Sequence, residues 1–488
     1  MDTPIYDYIK KYIDEDPVRL HMPGHKGRTM SWGLDGNNTT GVVSPESYDI
    51  TEIDGADVLS EAGGIIAQSE ANAGKLFNAY TLYSTEGSSL CIRSMLFLIR
   101  KKAGTEGKKA YILAGRNVHS SFLGAAALLD LDVDFIMQRE DESFESCTLK
   151  GKDIEQELQK AAEHNRMPYA LYITSPDYLG NISDIRSISE VCHRYNVLLL
   201  VDNAHGAYLK FLSKSIHPMD LGADICCDSA HKTLPVLTGG AYLHISKDTD
   251  EFFHKNAKQA MAVFATTSPS YLILASLDRC NAYLEGNISI CEAVKKVAEL
   301  KERLKTLGFV LTGEEPLKIT VKFENDVPDT GKYFPNGEDL AGFLKTKGIF
   351  VEYHDIEHVV MMLGSGNAEE DYKRTLAAFE EYRKQYPSAI QHRVDAGRTQ
   401  TDGNIGEKFK VRENENEIPA RKPAPKRAMT FREALFADFE EIDVHESIGR
   451  ILAEPLVHCP PCVPPYMLGE IIGEDIEKYC SGKIRVVK

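Results

Sequence analysis

Lys232 lies in "DSAHKTLPVLTGGAYLH" (228–244), directly after a serine and a histidine and ahead of an apolar, glycine-containing run. A lysine is rarely fully buried unless it is paired or chemically used. A desolvated lysine beside other positive charge is a nucleophilic amine, able to condense with a carbonyl. The same residue also reads as a plain surface turn before a strand, so its companions decide. Three short apolar runs each end in polar residues: "AYILA" (110–114) before Arg116, Asn117 and His119; "VLLLV" (197–201) before Asp202, Asn203 and His205; "ADICCD" (223–228) before Ser229, His231 and Lys232. Upstream, Gly87, Ser88 and Ser89 open the helical stretch "GSSLCIRSMLFLIRKK". Free N–H groups and the helix dipole make such a start an anion site, although small residues before a helix are common.

Together these groups are what pyridoxal 5'-phosphate (PLP) requires: a Schiff-base lysine, an acid for the pyridine nitrogen, a ring-stacking partner and a phosphate cradle. Lys232 supplies the amine and Asp202 the acid. His205 is placed to reach the phenolic oxygen, and His119 to stack on the ring. Gly87, Ser88, Ser89, Ser229 and His231 form the phosphate cradle. Each residue also has an ordinary reading: His119 as a helix-start residue, His205 as a satisfied buried histidine, Ser88 as an N-cap.

The elements that must position these residues alternate. Strand-like "AYILA", "YALYITS" (169–175), "VLLLVDNA" (197–204), "ADICCDS" (223–229) and "GGAYLHI" (239–245) alternate with helical "HSSFLGAAALLDL" (119–131) and "DIRSISEVCHRYN" (184–196). Strands that are apolar throughout need both faces covered, which predicts an α/β fold with a mostly parallel sheet and helices on both sides. Ligands of such sheets bind at the carboxyl ends of the strands. From about 290 the texture changes to charged helices with shorter strands, "LKITVKF" and "IFVEYH". The expected division is an N-terminal arm (1–50), a large PLP-binding domain (51–285), a small α+β domain (286–387), a polar linker (388–428) and a C-terminal unit (429–488).

At 488 residues, 43% hydrophobic and 26% charged, the chain is long enough for two or three globular domains. Its net charge of −17 disfavours nucleic acid as a partner. No apolar run reaches membrane-spanning length, the N-terminus lacks a signal-peptide pattern, and the cysteines are scattered, so the cytoplasm is the default expectation. The tight pair Cys459 and Cys462 in "HCPPC" lacks a second pair of matching spacing; it reads as coincidence, with a redox or metal half-site that includes His458 as the other option. No metal is expected.

The motifs, in their order, resemble the Orn/Lys/Arg decarboxylases of the aspartate-aminotransferase fold (fold type I). The resemblance is carried by "RLHMPGHKGR" (19–28), "YDITEIDGADVLSEAGGII" (48–66), "GRNVHSS" (115–121), "VDNAHGAYLKF" (201–211), "SAHKTLP" (229–235), "FATTSPSYLILASLD" (264–278) and "GRILAEPLVHCPPCVPPYMLGE" (449–470). The length is similar to that of members without a large N-terminal regulatory domain. The resemblance implies α-decarboxylation of arginine, lysine or ornithine to agmatine or a diamine, a step of polyamine biosynthesis. It implies that His231 or Lys232 returns the proton to Cα, that Glu352 holds the substrate's distal cation, and that Thr266 or Thr267 contacts the phosphate of a neighbouring subunit in a homodimer or higher assembly. Departures stand at Asn203, where Glu is usual, at Gly239, where Gln is common, at Glu86 beside the anion site, and in the "CPPC" segment. An aminotransferase or other lyase of the same fold, and a PLP-binding homologue without catalysis, are the alternatives. A transaminase would use a small-domain arginine, and Arg374 and Arg383 read as surface residues.

Overall fold

The computed structural model describes residues 1–28, 44–286, 288–323, 335–387, 420–457 and 459–488. A seven-stranded sheet lies at its centre: β1 Tyr80–Ser84, β2 Tyr111–Gly115, β3 Asp132–Ile136, β4 Ala170–Thr174, β5 Leu198–Asp202, β6 Ile225–Asp228 and β7 Ala241–Ile245. The spatial order is β1-β7-β6-β5-β4-β2-β3. From β6 to β3 every pair is parallel, whereas β7 runs antiparallel to both β6 and β1.

Side chains on a strand alternate between faces, so a strand apolar throughout feeds two cores. In β5, Leu199 and Val201 enter a core closed by the helices Gly151–Glu163 and Ile185–Arg194, while Leu200 enters one closed by Gly87–Thr105 and Ser120–Leu128. The expected mostly parallel sheet with helices on both sides is present. β1 and β3 were not foreseen: "YTLYS" leads straight into the anion loop, and "DVDFI" carries two acids on an edge strand.

The small unit is an antiparallel sheet in the order β10-β11-β9-β8, formed by β8 Val310–Thr312, β9 Lys318–Lys322, β10 Tyr353–His354 and β11 His358–Met362. The strand expected at "IFVEYH" shrinks to two residues, because the bridged pairs with β11 begin at Tyr353. The helix Glu369–Gln385 buries Tyr372, Ala378, Phe379 and Tyr382 in the core that it shares with this sheet. β12 Phe439–Asp443 and β13 Lys483–Val487 form a two-stranded sheet over a separate small core containing Leu452, Ile472 and Ile476.

Residues 388–419 of the expected linker lie outside the described residues. Its end does not hang free: Arg421 donates to Asp153 at 2.7 Å, and Arg427 to the Val133 carbonyl at 2.9 Å. The C-terminal unit is further held by Arg116, which donates to Glu470 at 2.8 Å and to the Pro465 carbonyl at 3.1 Å with both charged groups buried. Among the described residues no helix is long and apolar enough to cross a membrane.

Candidate active site

The strand order sets the site. β6 and β5 are neighbours, so Asp202 and the Ser229–Lys232 segment emerge side by side, with His119 arriving beyond β4 from the end of β2. Lys232 lies on a one-turn helix, Ala230–Thr233, rather than in an open turn. Its Nζ is 3.0 Å from His205 Nε2. Burial lowers the pKa of this ammonium and nearby Lys318 lowers it further, while Asp202 opposes the shift. This is the environment of a reactive amine.

Asp202 is fully buried and receives only neutral donors: Tyr172 Oη at 3.1 Å, the Ala204 amide at 3.2 Å and the Cys227 thiol at 3.6 Å. Burial therefore raises its pKa, against the pull of Lys232. His119 caps the helix Ser120–Leu128: its Nδ1 accepts from the Ser121 amide at 3.1 Å. Burial, Lys232 and Arg93 push its pKa down to about 4, so the ring is neutral at ordinary pH. It is both a helix-start residue and a flat neutral ring close enough to Lys232 to feel its charge.

The residues expected to form the anion cradle come together from three helix starts. Ser229 donates to Ser88 at 2.8 Å, and Ser121 to Ser89 at 2.8 Å, joining the short Lys232 helix and the His119 helix to the start of Gly87–Thr105. The Gly87 amide donates to the Gly239 carbonyl at 2.7 Å. Gly239 has φ +100°, and a Cβ there would stand 2.7 Å from the Thr85 carbonyl oxygen. Its backbone therefore requires glycine where the resemblance led one to expect Gln. His231 turns its Nδ1 to the Gly240 carbonyl at 2.9 Å.

The other departures have local reasons. Asn203 donates to Asp228 at 2.7 Å, where a Glu would set one carboxylate against another. Glu86 is exposed and accepts from the Thr266 amide at 2.7 Å, so one of its oxygens is already engaged. Cys459 and Cys462 form a disulfide with Cα atoms 4.6 Å apart, which corrects the reading of this pair as coincidence; His458 lies outside the described residues. The Cys462 carbonyl accepts from the Ser120 amide at 2.9 Å, directly beside His119. Arg374 and Arg383 bind backbone carbonyls of Lys347 and Leu307.

Several functional-looking groups had no sequence signal. Tyr178 packs edge-on against His205 at 5.2 Å and donates to Glu352 at 2.8 Å, linking the exposed Glu352 to the lysine cluster. Lys318 on β9 reaches His205 Nδ1 at 3.3 Å. Below the site, His217 Nε2 and His244 Nε2 lie 2.9 Å and 3.1 Å from Asp228, a set with the composition of a metal site. Their other nitrogens are engaged by the Met219 amide and by Thr81 Oγ1, so each ring can donate to Asp228 and the cluster closes by hydrogen bonding.

A depressed lysine, a buried carboxylate lacking a cationic hydrogen-bond partner, a neutral imidazole and paired hydroxyls at helix starts are a donor set that fits PLP. The Orn/Lys/Arg decarboxylase family, in its major domain, matches residues 3–323. The arginine decarboxylase of Bacillus subtilis (strain 168) is 29% identical over 500 residues, covering 98% of this chain and 93% of that protein. Lysine decarboxylase A of Pseudomonas aeruginosa superposes with a TM-score of 0.77 at 16% identity, covering 99% of this chain and 80% of that one. The lysine decarboxylase of Francisella novicida gives 0.74 at 16%, covering 100% and 81%. These structures establish the fold, the PLP-dependent fold type I. The family match runs from the N-terminal helix through the lysine cluster to β9, and the chain accordingly belongs to the Orn/Lys/Arg decarboxylase family.

Proposed function

We propose that the chain is a PLP-dependent carboxy-lyase acting on L-arginine, with agmatine as product. The observation that carries the chemistry is the Lys232–His205 contact at 3.0 Å, beside a buried Asp202 whose donors are all neutral. Bound PLP supplies an electron sink for the pair released as the Cα–carboxylate bond breaks. Lys232 offers the amine that holds the cofactor's carbonyl carbon. Asp202, left without a cationic donor by the protein, stabilises a proton on the pyridine nitrogen. His119, neutral down to about pH 4, covers a ring face without adding charge. Gly87, Ser88, Ser89, Ser229 and His231 hold the phosphate, and His231 or Lys232 holds the proton that returns to Cα.

The choice of arginine rests on the names of the relatives and on the acidic end of the cluster. Glu352 is oriented by Tyr178. Next to it, Tyr353 has one hydroxyl proton for two carboxylates, Glu145 at 3.0 Å and Asp355 at 2.8 Å. Glu145 is buried and its pKa is raised by that burial. Asp355 is matched by the His358 ring and by two amides, so a distal cation delivered here would relieve the burial of Glu145. Thr266 and Thr267 complete the phosphate site of a second copy in a homodimer, and the product would enter polyamine synthesis in the cytoplasm.

The test is CO2 release against keto-acid formation with L-arginine, L-lysine and L-ornithine. Stoichiometric CO2 and agmatine from arginine is the expected result. Keto acid without CO2 would make the protein a transaminase, and a visible cofactor band unmoved by every amino acid would make it a non-catalytic homologue. Mixing inactive Lys232→Ala with an inactive Thr266/Thr267 double variant should restore part of the activity if sites are shared between subunits.

A further inference from the structure

Lys318 is the buried charge that the reading so far does not use. It lies on β9 of the small sheet, is 2% exposed, and points its ammonium into the large unit. Nζ is 2.8 Å from Glu315 Oε2, 3.2 Å from the Asp177 carbonyl and 3.3 Å from His205 Nδ1. An ammonium has donors and no acceptor, so it can only donate to the carbonyl and to the histidine, while the Glu315 carboxylate supplies its counter-charge.

The consequence falls on His205. A nitrogen that accepts from Lys318 carries no proton, so in the neutral ring the proton sits on the other one. The ring is kept neutral by burial first and by the charge of Lys318, which drive its pKa below the usual value. Asp202 stands on the strand leading into His205, and Tyr178 covers the ring edge-on. The protonated nitrogen is therefore Nε2, the atom 3.0 Å from Lys232. An N–H there can only donate, and a lysine can accept only as the free amine.

The seat of Lys318 is fixed by the docking of the small unit. Thr320 donates to the Leu179 carbonyl at 2.7 Å and the Glu315 amide to the Gly180 carbonyl at 2.9 Å, pinning both ends of the segment to the loop that supplies Asp177. Tyr208 donates to the other oxygen of Glu315 at 3.3 Å.

We propose that Lys318 is a positioning residue: delivered by the small sheet, it donates to His205 Nδ1, fixes the His205 proton on Nε2, and so presents Lys232 as a free amine. The same N–H remains available to an anionic acceptor of the bound cofactor. This rests on Lys232 as the cofactor lysine, but the tautomer itself is a property of the protein without cofactor.

The first measurement is nitrogen-15 NMR of the cofactor-free protein labelled at histidine, with His205 assigned by its loss in His205→Gln. A single Nε2–H tautomer is expected in the wild type; an Nδ1–H tautomer there overturns the proposal whatever any variant does. Lys318→Met alone strands the Glu315 carboxylate, so it is paired with Glu315→Gln, which removes both charges together. In that double variant His205 should populate both tautomers. After PLP loading, the pH midpoint of the lysine-bound cofactor's absorbance should move up, since the ammonium that bonds His205 has gone while the removed carboxylate of Glu315 lies on its far side and offsets only part of the change. Lys318→Arg should restore a single tautomer. A folded double variant with an unchanged tautomer and an unmoved midpoint sinks the idea. If the tautomer behaves as expected but PLP attaches to another lysine, the functional assignment fails and not this one.

Discussion

Two aspartates end neighbouring strands of the central sheet, both fully buried, and they are treated in opposite ways. Asp228, at the end of β6, accepts from Asn203, His217 and His244, and these partners hold its carboxyl well below the usual range. Asp202, at the end of β5, has a hydroxyl, one amide and a thiol, and burial pushes its carboxyl up. The protein solvates the first charge completely and leaves the second short. A buried anion that its own fold has not matched is poised to take a cation from outside. Asp228 is thus a structural anion beneath the site, and Asp202 is the one left free for the cofactor role proposed above.

The comparison can be broken in several places. The largest effect belongs to the lysine that both strands serve. Lys232→Ala should fold normally, lose the cofactor's visible band, and lose turnover by on the order of 10⁴-fold or more, as removal of a covalent group does. Recovery of a borohydride-reduced PLP adduct on a different lysine would refute the assignment.

Next is Asp202→Asn, expected to retain some PLP but lose turnover by about 100–1,000-fold, a transition-state effect of about 3–4 kcal/mol. Its stability should move the other way. A carboxyl whose folded pKa lies above its unfolded value destabilises the fold as pH rises through that interval, and the loss persists above it. The cofactor-free Asp202→Asn protein should therefore melt no lower than wild type at neutral pH. Wild-type turnover in this variant would remove Asp202 from the chemistry.

Asp228→Asn should do the reverse, costing about 2–3 kcal/mol because two buried imidazole donors lose their shared acceptor, while the folded fraction still takes up PLP. Here the folded pKa is depressed below the ordinary 3.8. The stabilisation is present above that value and is lost as pH falls through the depressed one, so the gap in melting temperature between variant and wild type should close in strong acid. An equal gap at every pH would show that Asp228 is not the anion described.

The smallest effect concerns His119, which titrates at about 4. PLP affinity measured from pH 6 to pH 8 should show no inflection traceable to this ring in His119→Phe comparisons. A wild-type inflection near 6.5 that His119→Phe abolishes would show the ring to be solvated and charged.

Much of this was legible because each signal was local. "VLLLVD" declares a doubly covered strand by itself, and Asp202, His205, His119 and Lys232 follow their strands within a few residues. Lys318 was not legible. A lysine at the head of "LKITVKF" looks like any solvated strand end, and its burial depends on Glu315 and on a carbonyl from the Asp177 loop, which only the docked small unit brings together. Asn203 likewise looked like a weakness until Asp228 lay beside it. β3 was hidden for a related reason: its two acids face an edge, where Arg166 pairs with Asp132 at 3.0 Å and also bonds Asp134. The disulfide was hidden because i, i+3 spacing alone does not say that the chain turns back on itself there.

The ion pair between Arg116 and Glu470 joins residues 354 positions apart, one directly after β2 and one in the C-terminal unit. During synthesis, at roughly 5–20 residues per second, the arginine emerges roughly 20–70 s before its partner exists. Throughout that interval the segment carrying His119 lacks both the carboxylate that neutralises Arg116 and the Cys462 carbonyl that anchors Ser120. A chain that stops before Glu470 therefore leaves the Arg116 guanidinium without its carboxylate and the helix capped by His119 without its carbonyl anchor.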